Sequence, residues 1–201
     1  MIKDVLNILQ RYFTLMLISI ITLQITGCSF TTPILVGGTV LTANIVSDRR
    51  TAGSQIEDSN IYLKIKKKLF NSPYKKEINR IKFTIYNRQV LITGEVNSDD
   101  IKKHITKMVA NIDGITNVKN YLKIRPALNI ENRLNDKIIL YKLKLIFLTT
   151  KDIPSKNISI TVDQGSVFLM GLVTKKEGNK VSSITSKIHG VNRVIKNFEY
   201  K

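Results

Sequence analysis

Val90-Leu91-Ile92-Thr93-Gly94-Glu95-Val96 is answered 77 residues later by Val167-Phe168-Leu169-Met170-Gly171-Leu172-Val173. A shorter run precedes each, Ile81-Lys82-Phe83-Thr84-Ile85 in one and Ile158-Ser159-Ile160-Thr161-Val162 in the other. Each pair reads as two strands, the first pair turning at Asn87-Arg88-Gln89. Upstream lie Asp58, Ile61, Ile65 and Leu69, matched by Asp136, Ile139, Leu143 and Phe147, both at helical spacing. Downstream come a second helical run and a closing phrase, Gly114-Ile115-Thr116-Asn117-Val118 and Gly190-Val191-Asn192-Arg193-Val194. The landmarks keep offsets of 78, 77 and 76 residues, so the chain says one phrase twice. Two copies are too few for a solenoid, and each must bury its own core. The expected fold is α+β: two α-β-β-α-β modules, each a three-stranded sheet with two helices on one face. The modules span 58–125 and 136–201, with 126–135 as linker, and Gly94, Gly114, Gly171 and Gly190 are their structural glycines.

The chain of 201 residues carries a net charge of +17, with 43% hydrophobic and 23% charged residues. That composition fits a folded chain. The charge favours an anionic partner, either nucleic acid or a membrane surface, although a lysine-rich composition alone also produces it. The N-terminus separates these. Lys3 and Arg11 precede an apolar run, Tyr12 to Ile25, that is shorter than the ~20 residues of a spanning helix. It ends in Ile25-Thr26-Gly27-Cys28, and Cys28 is the only cysteine, so no internal disulfide forms. This ending resembles a bacterial lipobox. The resemblance implies that residues 1–27 are a lipoprotein signal peptide and that Cys28 carries palmitate and begins the mature chain. An exported chain makes nucleic acid a poor partner. Ser29 stands where an Asp would resemble the inner-membrane retention signal, which points to the outer membrane, facing the periplasm. Residues 28–57, with Pro33, Gly37-Gly38 and the polar run Ser47–Ser54, read as a tether.

Convergent titratable groups are scarce. His104 and His189 both fall in second helices, but their counterparts in the repeat are Lys180 and Asp113, so they are not a repeated site. Asp99-Asp100 sits at a helix start, where cap and dipole explain it. No serine elbow, metal-ligand cluster or phosphate loop appears. The expectation is a non-enzymatic chain with no metal and no cofactor.

The informative stretch is the first helix of the second module. With residues 100° apart, Ile139, Leu143, Ile146 and Phe147 face the core. A second apolar stripe, Ile138, Tyr141, Leu145 and Leu148, lies on the far side. Lys137 and Lys144 flank it, and Lys142 is nearer the other border. The first module has Asn60, Leu63, Lys67 and Phe70 at the four matching places, a more polar face. A helix apolar on two faces must bury both. Two occupants of the far stripe remain open: an anionic bilayer, which apolar groups edged by lysines suit, or the first module, as a domain interface. The candidate lipid-binding residues are Lys137, Ile138, Tyr141, Lys142, Lys144 and Leu145.

The steps Gly94-Glu95-Val96 and Gly171-Leu172-Val173, with the closing Gly-[Ile/Val]-x-x-Val, resemble BON domains. The order of lipobox, tether, module, module resembles the dual-BON outer-membrane lipoproteins, and Asp48–Gln55 is similar to their lead-in. The resemblance implies binding of anionic phospholipids (phosphatidylglycerol, cardiolipin) through the second module's first helix, enrichment at the division site, and a role in envelope integrity. It also implies a link to the outer-membrane protein assembly machinery. Ile138 stands where the lipid-binding member of that family carries a membrane-inserting Trp, and this chain has none. Val194-Ile195-Lys196-Asn197 is one residue longer before its Asn than Val118-Lys119-Asn120, which leaves the last strand's register open.

Overall fold

A computed structural model describes residues 48–126 and 130–201. The signal peptide, Cys28 and Gly37-Gly38 lie outside the described residues. The described part belongs to one compact unit.

The first module runs α1 (Ala52–Phe70), β1 (Ile81–Tyr86), β2 (Gln89–Val96), α2 (Asp99–Ala110), β3 (Asn117–Asn120) and β4 (Lys123–Ile124). The second runs α3 (Ile130–Thr149), β5 (Ile158–Asp163), β6 (Ser166–Val173), α4 (Lys175–Ser186) and β7 (Arg193–Tyr200). Both are α-β-β-α-β. Each sheet is mixed, because β1–β2 and β5–β6 are antiparallel hairpins while β3, β4 and β7 run parallel to the central strand. The parallel return is the crossover that a helix between two strands requires.

Both first helices begin earlier than the apolar spacing indicates. The side chain of Thr51 accepts from Ser54 N–H at 3.1 Å and caps α1, so residues 52–57 are helix and not tether. Likewise α3 starts at Ile130, inside the expected linker. The reason is the same in both. No residue of either helix before Asp58 or Asp136 is buried, so these first turns carry no core period.

Asp58 and Asp136 are buried, and each closes its module's hairpin. The Asp58 carboxylate accepts from Asn87 N–H at 2.8 Å and Arg88 N–H at 2.7 Å. Asp136 accepts from Gln164 N–H at 2.8 Å and Gly165 N–H at 2.9 Å. Both two-residue turns have two positive φ angles, the pattern of a type I′ hairpin. Three of those four residues are not glycine, and the carboxylate's two hydrogen bonds offset the cost of that backbone. At the other end of each hairpin the strands pass too close for a side chain. A Cβ on Gly94 would lie 2.0 Å from the Arg80 carbonyl oxygen, and one on Gly171 2.3 Å from that of Asn157. Gly178, unfavourable in a helix, lets α4 approach β7: a Cβ there would meet the rings of Phe198 and Tyr200 at 3.2 Å.

The final strands share one register. Val118 pairs with Val90 and Val194 with Val167, so Lys196, not Asn197, is the counterpart of Asn120. β7 is continuous, whereas its equivalent is split after Asn120, whose side chain accepts from Leu122 N–H at 2.8 Å.

Three apolar clusters form the core, one in each module and one between them. One lies between α1, α2 and their sheet, centred on Ile65, Val90, Ile92 and Ile105. Its counterpart lies in the second module, around Leu143, Val167, Leu169 and Val181. The third joins Tyr86 and Leu91 of one sheet to Phe168 and Met170 of the other. The sheets therefore meet back to back, and the molecule is layered helices, sheet, sheet, helices. Thr84 and Thr161 hydroxyls bond across this plane at 2.7 Å, the Tyr121 and Phe168 rings sit 4.8 Å apart, and Lys119 donates to Asn197 Oδ1 at 2.9 Å.

The segment Asp48–Thr51 straps the two modules. Arg49 donates to both carboxylate oxygens of Glu177 at 2.7 Å and to the Leu172 carbonyl at 3.2 Å. Arg50 pairs with Asp48 and Asp58, each at 2.9 Å, and lies 4.3 Å over the Tyr86 ring. Part of the polar run read as tether is thus bound structure.

Candidate functional site

α3 rests on its sheet through Ile139, Leu143 and Phe147, all buried. About half a turn away stands the other apolar stripe, uncovered by any described residue. Ile130, Leu134, Ile138, Tyr141, Leu145 and Leu148 are exposed, from 43% at Ile138 to 86% at Ile130. Eighteen residues separate its ends, which at ~1.5 Å per residue is roughly 27 Å of helix. Such a contiguous apolar strip on a folded surface marks a binding face. The first module does not cover it, because that module contacts the far side of the sheet.

Lys137, Lys142 and Lys144 are exposed beside the stripe, and the only acidic side chains on α3 are Glu131 in its first turn and the buried Asp136. Lys137 and Lys144 share one border, and Lys142 lies on the other. The outward surface is therefore apolar and positively edged. Toward its C-terminal end the stripe borders an open groove of about 450 Å³ between the modules, lined in part by Arg50, Ile85, Tyr86, Lys144, Phe147 and Leu148. Ile130 and Leu134 stand N-terminal to Asp136, where the core-facing period of α3 opens, so that period does not mark them. Leu134 lies one four-residue step before Ile138, which is the sequence signal that marks it as part of the stripe.

The two histidines stand in different modules. His104 is exposed and packs edge-on to Tyr74 at 4.8 Å, and His189 is exposed in the loop after α4. Among the described residues no group of three or more His, Cys, Asp or Glu could hold a metal ion. No helix among them is long and apolar enough to cross a membrane. The four glycines serve the frame: Gly94 and Gly171 allow strand contact, while Gly114 and Gly190 follow second helices at φ of 95° and 89°.

The BON domain model matches residues 57–126 and 135–201. The chain belongs to the BON domain family. Its two BON domains are similar across most of the chain to the outer membrane lipoprotein DolP of Haemophilus influenzae, at 29% identity over 166 residues, 83% of this chain and 86% of that one. A 21 kDa hemolysin of Actinobacillus pleuropneumoniae is 24% identical over 153 residues, 76% of this chain and 79% of that one. The osmotically-inducible protein Y of Escherichia coli is 24% identical over 151 residues, 74% and 75% of the two chains.

Proposed function

We propose that this BON protein docks on anionic phospholipid surfaces through the outer face of α3. The observation that carries the reading is the uncovered stripe from Ile130 to Leu148, edged by lysines. Insertion of its aliphatic groups supplies the apolar part of binding, and Lys137, Lys142 and Lys144 supply attraction to phosphatidylglycerol or cardiolipin headgroups. Tyr141, 65% exposed at the centre, is the ring suited to the headgroup level, since Ile138 is aliphatic. Acyl chains on Cys28, each CH₂ contributing ~0.8 kcal/mol, would hold the protein at the periplasmic face of the outer membrane after removal of residues 1–27. The likeness to an outer membrane lipoprotein supports that placement, and the family resemblance extends the reading to envelope integrity, division-site enrichment and contact with outer-membrane assembly machinery.

The test is co-sedimentation of residues 48–201, which lack the anchor, with vesicles with and without cardiolipin. Wild type is expected to pellet only with the anionic vesicles, and Tyr141→Glu/Leu145→Glu is expected to stay in solution. Equal binding by the double variant would remove the proposal. Capture of a stable protein partner with no lipid binding would favour an adaptor held at the membrane by its anchor alone.

A further inference from the structure

The counterpart of the α3 stripe on α1 is also uncovered by any described residue. Ile56, Leu63 and Phe70 are 64%, 63% and 65% exposed, and they stand 78 residues before Leu134, Tyr141 and Leu148. Lys64 and Lys66 likewise precede Lys142 and Lys144 by 78, and Lys67 takes the place of Leu145. The two helices thus share three apolar positions and two lysines. They differ at Asn60 against Ile138, Lys67 against Leu145 and Ser59 against Lys137. Both α1 acidic side chains lie N-terminal to Ser59, and one of them, Asp58, is buried under the hairpin. The stretch from Ser59 to Phe70 therefore carries four lysines and no carboxylate.

The layer order sets where these faces point. On α1 the buried Ile61, Ile65 and Leu69 lie about half a turn from Leu63, as Ile139, Leu143 and Phe147 do from Tyr141. Each stripe looks away from its own sheet, and the sheets meet back to back through Tyr86, Leu91, Phe168 and Met170. The two stripes therefore face outward from opposite ends of the stack. Packed layers ~10 Å apart put the axes of the two helices roughly 30 Å from each other. That is several times the ~8 Å screening length at physiological salt, so the charges of one face leave the other almost unaffected.

We propose that α1 is a second docking face for anionic lipid, so that the protein holds two lipid surfaces at once, one on each side. The bridging rests on the reading of α3 as the face toward the anchoring membrane. Positive charge beside exposed aliphatic and aromatic groups fits an anionic bilayer and disfavours a second copy of the same basic face. With Lys67 replacing a leucine, α1 binds through charge more than α3 does and releases at lower salt.

The experiment uses the full lipid-anchored chain, reconstituted into phosphatidylglycerol–phosphatidylcholine vesicles. Dye-labelled, protein-free vesicles of the same lipids are added, and their capture is measured. Wild type is expected to capture them, to ignore pure phosphatidylcholine vesicles, and to lose them on raising salt. Leu63→Glu/Phe70→Glu is expected to reduce capture to the phosphatidylcholine background. Lys66→Glu/Lys67→Glu, which leaves the apolar line intact, is expected to do the same. Tyr141→Glu/Leu145→Glu is expected to keep capture through α1. No capture by wild type, or full capture by both α1 variants, would overturn the second face. The α3 reading would be untouched, because it stands on binding by residues 48–201.

Discussion

The Tyr86 hydroxyl of the first module donates to the Asn157 carbonyl of the second at 3.0 Å. It also accepts from Leu172 N–H at 3.2 Å. In the first module the equivalent groups bond directly, Glu95 N–H to the Arg80 carbonyl at 3.2 Å. One module's side chain therefore splits a backbone bond that its sister keeps, and the two sheets are locked in register. Tyr86→Phe leaves a buried donor and acceptor without that partner. The expected cost is about 1–3 kcal/mol, read as a lower denaturation midpoint at unchanged slope. A midpoint equal to wild type would show that the two groups re-form the direct bond.

The strap makes stability depend on acid. Hydrogen bonds from Arg49, joined by the Thr174 N–H, hold the Glu177 carboxyl at about 2, below its ordinary 4.5. A depressed carboxyl stabilises the fold above its unfolded value and loses that contribution as pH falls through its folded value. Glu177 also completes the capping box of α4 with Thr174. Glu177→Gln is expected to lower stability by about 1 kcal/mol above pH 4.5, a modest figure because both side chains meet solvent. The difference from wild type should close as pH falls from 4.5 towards 2. Parallel melting curves across that range would contradict the assignment.

The buried aspartates make a paired prediction. Asp58→Ala and Asp136→Ala each remove the acceptor of two turn N–H groups and are expected to cost about 2–4 kcal/mol. Because Gly165 occupies one of the left-handed positions in the second turn, Asp136→Ala should be the milder. Hydrogen exchange at Arg88 and Gly165 measures this directly, and fast exchange in wild type would contradict it.

Much of this architecture was legible in one chain because the repeat prints it twice. Asp58 and Asp136, the glycines at 94 and 171, and the helical spacing between them mark one hairpin and its cover. The back-to-back sheets were also signalled, by Val90-Leu91-Ile92 and Val167-Phe168-Leu169-Met170. Such continuous apolar runs belong to strands buried on both faces, yet they pass for the alternating strands of a one-sided sheet. The strap had no local signal, since Arg49 finds Glu177 at a separation of 128 residues and is indistinguishable from linker until folded. The α3 stripe was legible from Ile138 onward. Its first two members stood in turns that pack on nothing, where sequence periodicity has no core to report.

The docking of α3 has a direct optical test, because the chain contains no tryptophan. Tyr141→Trp places a single reporter at the centre of the stripe. Titration of residues 48–201 carrying this change with phosphatidylglycerol vesicles should move its emission to shorter wavelength, and brominated acyl chains should quench it. Emission that stays at its water-exposed position in saturating anionic vesicles, with no quenching, would contradict insertion of this face.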